Sequence, residues 1–164
     1  MGGDQPNSEA GDELSAGHIA RFRDVPGGLL PLLHALQESL GCVPASAVPA
    51  IAVALGLSRA EVHGVISFYH DFRSEPAGRH VLQICRAEAC QAMGSRDLEA
   101  HARQRLGIDF GATSVDGAVT LEAVYCLGNC ACSPSVRLDD VIHARVDAAR
   151  LDELLADLAA GDAS

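Results

Sequence analysis

Six cysteines stand at positions 42, 85, 90, 126, 130 and 132, and four of them form two close pairs, Cys85-x4-Cys90 and Cys126-x3-Cys130. Four thiolates supplied by two loops are what a binuclear iron–sulfur cluster requires, and the chemistry of such a site is one-electron transfer. Structural zinc is the strongest competitor, because C-x2-4-C pairs also serve tetrahedral zinc. Disulfides are a weaker alternative: 48% of the residues are hydrophobic, enough for a core that needs no covalent staples. A thioredoxin-type redox pair needs C-x-x-C, and a Rieske centre needs histidine beside the cysteines; neither pattern occurs here. Cys126, Cys130 and Cys132 compete for two ligand places, and spacing prefers Cys130 only mildly. Cys42, directly after Gly41, reads as a small buried hydrophobe.

Cluster sulfurs need backbone N–H donors, so the chain around them must curl tightly. Gly94 follows the first pair and Leu127-Gly128-Asn129 fills the second, and Gly and Asn tolerate left-handed conformations. A cluster of two ferric ions, two sulfides and four thiolates is dianionic, and reduction adds one more negative charge. N–H···S bonds and a neighbouring cation such as Arg86 would raise its potential, whereas acidic surroundings would lower it.

The elements that must position these residues are legible in the periodicity. Residues 1–20 read as a disordered acidic tail of Gly, Ser, Asp, Asn and Pro. Residues 21–75 read as a helical bundle. Leu29, Leu32, Leu33, Leu36 and Leu40 line one helix face up to Gly41, with Pro31 tolerated in the first turn. A second helix carries Val48, Ile51, Ala52 and Leu55 to Gly56. A third opens on the capping box Ser58-Arg59-Ala60-Glu61 and carries Val62, Val65 and Ile66 into Phe68-Tyr69, an aromatic pair expected to pack in the core. Pro76-Ala77-Gly78 marks a hinge into residues 76–164. There His80–Ile84 alternates as a strand ending at Cys85, Ser95 is the expected cap of a helix through Leu98, Ala102 and Leu106, and Val119–Tyr125 is a second strand delivering Cys126. A hairpin of Ser135–Leu138 and Ile142–Val146 follows, then a helix capped by Asp147 with a Leu stripe at 151, 154, 155 and 158. The order is β-α-β followed by β-β-α, an α/β domain preceded by a small helical bundle.

The charge balance excludes several functions. Twelve cations face 22 Asp and Glu, a net charge of -10, and every cation is Arg. Such a chain is a poor match for phosphate backbones or anionic membranes, so no nucleic-acid partner is expected. No stretch reaches the roughly 20 apolar residues of a membrane helix. The acidic start lacks the features of a signal peptide or presequence, which points to a cytoplasmic protein without direct membrane insertion. No Gly-rich phosphate loop and no nucleophile with its base is present, so catalysis and NAD binding belong to partners. The histidines, His70 and His80 among them, read as surface or packing residues.

The strings Ile84-Cys-Arg-Ala-Glu-Ala-Cys90 and Tyr125-Cys-Leu-Gly-Asn-Cys130 resemble the thioredoxin-like [2Fe–2S] ferredoxin subunits of complex I and related NAD-linked enzymes. Gly64-Val-Ile-Ser-Phe-Tyr69 and Pro76-Ala-Gly-Arg-His80 resemble that family's helix end and linker, and the likeness runs from about Leu29 to Leu158. The resemblance implies a thioredoxin-like domain with one [2Fe–2S] cluster held by Cys85, Cys90, Cys126 and Cys130, leaving Cys132 as an extra thiol. It also implies docking on a flavoprotein subunit that binds FMN and NAD. Cys90-Gln-Ala-Met-Gly94 and Gly128-Asn-Cys-Ala-Cys-Ser-Pro134 look most like the gamma subunit of NAD-dependent formate dehydrogenase, with a molybdenum- or tungsten-containing catalytic subunit as the further partner. The equivalent subunits of complex I and of NAD-reducing hydrogenase are the alternatives by resemblance. A zinc-stabilised assembly module is the alternative of another class.

Overall fold

The computed structural model describes residues 8–162, with side chains from residue 11 onward. The chain divides into two compact units between Pro76 and Ala77. The first is all helical: α1 (Ser8–Phe22), α2 (Leu29–Leu40), a 3-10 turn (Ala45–Ala47) running into α3 (Val48–Leu55), and α4 (Arg59–Phe68). Leu32, Leu33 and Leu36 of α2, Val48 and Ile51 of α3 and Val62 of α4 form its core. Gly41 and Gly56 end their helices with φ of 76° and 66°, where a β-carbon would be strained. The capping box is complete: Glu61 N–H donates to Ser58 Oγ, and Ser58 N–H donates to Glu61 Oε2. Cys42 is buried, and burial, then the charge of Glu75, pushes its thiol up.

Two expectations fail in this unit. Residues 8–20, which read as part of a disordered tail, lie in α1; residues 1–7 fall outside the described ones. Composition alone hides the reason. Ile19 and Phe22 reach the helical core and His18 Nε2 lies 2.9 Å from Ser39 Oγ, so tertiary packing supports a helix that its own residues favour weakly. Phe68 and Tyr69 are exposed rather than packed in the core. Phe68 lies six residues beyond Val62, a step that turns it off the face Val62 buries.

The second unit contains β1 (His80–Cys85), α5 (Glu88–Ala92), α6 (Ser95–Leu106), β2 (Ala112–Thr113), β3 (Val119–Val124), β4 (Ser135–Leu138), β5 (Val141–Ala144) and α7 (Ala148–Gly161). The five strands form one mixed sheet in the order β2-β3-β1-β4-β5, with β1 parallel to β3 and the other pairs antiparallel. Alternate residues Leu82 and Ile84, Val119 and Leu121, and Val136 and Leu138 share a core with Leu98 and Ala102 of α6 and Leu151, Leu154 and Leu155 of α7. This is a thioredoxin-like layer arrangement. Gly78 is required by close approach, since a β-carbon there would sit 2.9 Å from the Gly117 carbonyl oxygen. Ser95 does not cap α6. Gly94, with φ 98°, occupies the cap position, and Ser95 Oγ instead donates to the Cys85 carbonyl at 2.6 Å. The strand expected through Val146 ends at Ala144, because Arg145 turns to φ 52°. Among the described residues no single helix is long and apolar enough to cross a membrane.

His80 ties the two ends of this unit together. Its Nδ1 lies 2.8 Å from Asp139 Oδ2 and its Nε2 lies 3.1 Å from Asp162 Oδ1, while Asp139 Oδ1 accepts the Val81 N–H at 2.8 Å. Only the imidazolium donates from both nitrogens. The bonds to Asp139 and then to Asp162 therefore raise the His80 pKa above its ordinary 6.5. A raised folded-state value means the stabilisation is full below the unfolded value and drains away as pH rises through the folded one. Chemical denaturation across that window should show the second unit losing stability on alkalinisation, and His80→Gln should flatten the dependence. An unchanged slope in the variant would exclude this cluster as its source.

Candidate metal centre

The site is built from strand ends. β1 and β3 are adjacent and parallel, with Cys85 in register with Val124, so each strand releases its loop at the same edge of the sheet. Parallel neighbours lie about 4.8 Å apart, close enough for both loops to serve one centre. The first loop is short because α5 starts at Glu88 and places Cys90 in its first turn. Gln91 Nε2 donates to the Arg86 carbonyl at 2.6 Å and closes that turn. The second loop runs from Cys126 through Gly128 into a 3-10 turn, Cys130–Cys132.

The four expected ligands come together as two linked pairs. Cys126 Sγ and Cys130 Sγ are 3.7 Å apart, about the edge of a tetrahedron with metal–sulfur bonds near 2.3 Å. Cys85 and Cys90 are close enough to raise and lower one another's acidity, and the Leu127 amide of the second loop favours the Cys85 anion of the first. Ser133 links Cys90 Sγ at 3.3 Å to the Cys130 carbonyl at 2.9 Å. Cys85 and Cys90 are buried, whereas Cys126 and Cys130 are exposed. Cys126 adopts φ 146°, a strained value for any residue with a side chain, and Gly128 N–H then donates to its sulfur at 3.3 Å. Strain concentrated on a cysteine, with an amide aimed at its sulfur, suits a thiolate held for a metal.

The electrostatics of the thiols agree with that use. Burial pushes Cys85 up, against the Ala87 and Leu127 amides that favour its anion. Burial also opposes ionisation of Cys90, but its contacts with the Ser133 hydroxyl, Cys85 and the Ser135 amide outweigh it and lower its pKa. Cys130 is raised chiefly by the hydrogen bond and charge of Cys126, with burial and the charge of Cys90 adding to it. Thiols packed this closely cannot all ionise unless cations lie among them. Among the described residues no three His, Cys, Asp or Glu converge on one ion position. Two pairs linked through their loops fit a two-iron cluster better than a single tetrahedral zinc.

The surroundings differ from expectation at Arg86. Its Nε lies 3.1 Å from Glu99 Oε2 and its guanidinium stacks 5.0 Å from the Phe110 ring centroid, so its charge is already engaged by a carboxylate. Cys132 is partly buried, and its thiol makes no hydrogen bond among the described residues. Its backbone anchors the turn instead, donating to the Asn129 carbonyl at 3.0 Å and accepting from Arg145 N–H at 2.9 Å. Sequence reasoning missed α5, the strained Cys126 and Ser133, whose hydroxyl lies 3.3 Å from Cys90 Sγ and donates to the Cys130 carbonyl at 2.9 Å. The amphipathic spacing in Glu88–Ala92 is too short to signal a helix, and a serine beside a proline signals only a turn.

A thioredoxin-like sheet that ends two neighbouring strands in thiol pairs defines the scaffold of an iron–sulfur redox protein. The chain belongs to the thioredoxin-like [2Fe–2S] ferredoxin family, whose model matches residues 16–159, and its cofactor is accordingly one [2Fe–2S] cluster. It is 39% identical over 144 residues to a subunit of the NADH-quinone oxidoreductase of Rhizobium meliloti (strain 1021), covering 88% of this chain and 85% of that one. It is 34% identical over 158 residues to a subunit of the NADH-quinone oxidoreductase of Escherichia coli (strain K12), covering 92% and 95%. A crystal structure of an NAD+-reducing [NiFe]-hydrogenase matches 86% of this chain with a TM-score of 0.68 and 27% identity; this chain spans only 24% of that hydrogenase chain.

Proposed function

We propose that this protein is the small electron-transfer subunit of an NAD-linked oxidoreductase, holding its [2Fe–2S] cluster through Cys85, Cys90, Cys126 and Cys130. The observation that carries the reading is the cross-loop arrangement: two thiol pairs at the ends of adjacent parallel strands, joined by Ser133 between Cys90 Sγ and the Cys130 carbonyl. A cluster bound there supplies a one-electron carrier. The chain's own contribution is to hold the four sulfurs, direct amides at them and leave the Cys126–Cys130 side open. Tyr125 is 71% exposed beside that pair, and Met93 is exposed beyond Cys90. Exposed aromatic and Met side chains around an accessible redox edge suit a protein partner. That partner is a flavoprotein binding FMN and NAD(H).

The relatives' names favour a host of the NADH-quinone oxidoreductase or NAD-reducing hydrogenase type over formate dehydrogenase. The loop string Gly128-Asn-Cys-Ala-Cys-Ser-Pro134 is what supports the formate dehydrogenase reading. Anaerobically purified protein should contain about two iron and two labile sulfides per chain. Zinc without iron or sulfide would refute the electron-transfer reading and leave an assembly module. Co-purified complex assayed for NAD-linked turnover of quinone, hydrogen and formate identifies the host, and activity with formate alone would favour the formate dehydrogenase reading.

A further inference from the structure

Among the described residues, Ser133 is the one buried hydroxyl that contacts both cysteine loops: its Oγ lies 3.3 Å from Cys90 Sγ and donates to the Cys130 carbonyl at 2.9 Å. It is 7% exposed, and β4 begins two residues later, so water does not compete freely for the hydroxyl and its position is set by backbone on both sides. With Cys90 protonated, the contact is donated by the thiol, S–H to Oγ, while Ser133 spends its own proton on the Cys130 carbonyl. A metal-bound cysteine has lost that proton. The two atoms would then face each other as acceptors unless the hydroxyl rotates and donates to sulfur.

We propose that Ser133 is a positioning residue that donates an O–H···S hydrogen bond to the Cys90 thiolate and raises the potential of the bound cluster. The proposal rests on the reading of Cys90 as a ligand. Rotation about the Cβ–Oγ bond of Ser133 suffices; no movement of heavy atoms is needed, since Oγ is already in contact with the sulfur. The two acceptors divide the proton between them. Reduction adds one electron and no atom, making the sulfur more negative, so it draws the hydroxyl away from the neutral Cys130 carbonyl. A hydrogen bond stronger in the reduced state than in the oxidised state shifts the redox equilibrium toward reduction. The Ser135 amide, which also favours the Cys90 anion, is fixed in the backbone and cannot redistribute in this way.

The test uses the full chain loaded with its cluster, titrated anaerobically with dithionite as the one-electron reductant. Ser133→Ala should keep iron and sulfide but become harder to reduce, its equilibrium constant falling about tenfold, equivalent to about 59 mV for one electron. Ser133→Thr, which keeps the hydroxyl, should restore most of the shift. An unchanged potential in the alanine variant overturns the proposal, as does loss of the cluster in the alanine variant with no potential change in the threonine variant relative to a cluster-bearing Ser133→Gly control. Cys90→Ala tests the underlying reading separately. If that variant retains the cluster, the ligand assignment fails; if it loses the cluster while Ser133→Ala leaves the potential unmoved, only the role of Ser133 fails.

Discussion

Cys130→Ala is expected to abolish the visible charge-transfer absorption of the anaerobically purified protein, with cluster content at least about tenfold below wild type, while Cys132→Ala retains it. The sequence places both thiols within reach of Cys126, but the fold treats them differently. Cys130 Sγ lies 3.7 Å from Cys126 Sγ, and the charge of Cys90 also reaches it. Cys132 is held by its backbone between Asn129 and Arg145, with its carbonyl also accepting from Ser135 Oγ at 3.2 Å. Moving its sulfur into the vacated position would break bonds that start β4. Losing a ligand exceeds the 10–100-fold effect typical of removing an outer-shell partner, which is why the expected contrast is large. Alanine is preferable to serine here because it leaves no oxygen to take the ligand place. Equal cluster content in the two variants, measured as iron and labile sulfide, would overturn the assignment of Cys130.

The features most legible in the sequence were those written as local periodicity. The Leu stripe of α2, the Ser58–Glu61 box and the alternation leading to Cys85 all depend on spacing within one element, and spacing survives without tertiary context. The site was legible as a pair of strand-end cysteines for the same reason. What escaped detection depends on partners distant in sequence. α1 is stabilised by Ile19 and Phe22 entering a core formed by later helices. Ser95 follows a glycine that takes the cap position, and its hydroxyl serves a carbonyl ten residues earlier. The two-residue strand β2 exists through its pairing with Leu121 and Thr120. Cys126 bears a backbone conformation that its residue type would not suggest, because the requirements of the site override local preference. Arg86, read as a neighbouring cation that would raise the cluster's potential, is engaged by Glu99 from α6.

Leu82→Ala should destabilise the second unit by about 3–4 kcal/mol, the range for a fully buried leucine whose cavity the surroundings cannot close. Leu82 has no solvent exposure and sits at the centre of the sheet, facing Leu121 of β3 on one side and Leu138 of β4 on the other. Its neighbours are held from three directions, by both strands and by α6 and α7, so collapse around the missing methyl groups is limited. With an m-value near 2 kcal/mol per molar urea, the midpoint should fall by about 1.5–2 M. Val115→Ala, at a fully exposed position, should change stability by no more than about 0.5 kcal/mol. The core change also reaches the metal centre. Cys85 is three residues along the same strand, and its register with Val124 aligns the two loops. A site held to within about 0.5 Å by its scaffold loosens when the central strand does. Cluster release during a urea titration should therefore begin at lower denaturant in Leu82→Ala than in wild type, in step with the loss of far-UV ellipticity from the sheet domain. A midpoint shift below about 0.5 M would show that the core repacks around position 82, and release at an unchanged urea concentration would show that the cysteine loops keep their geometry independently of β1.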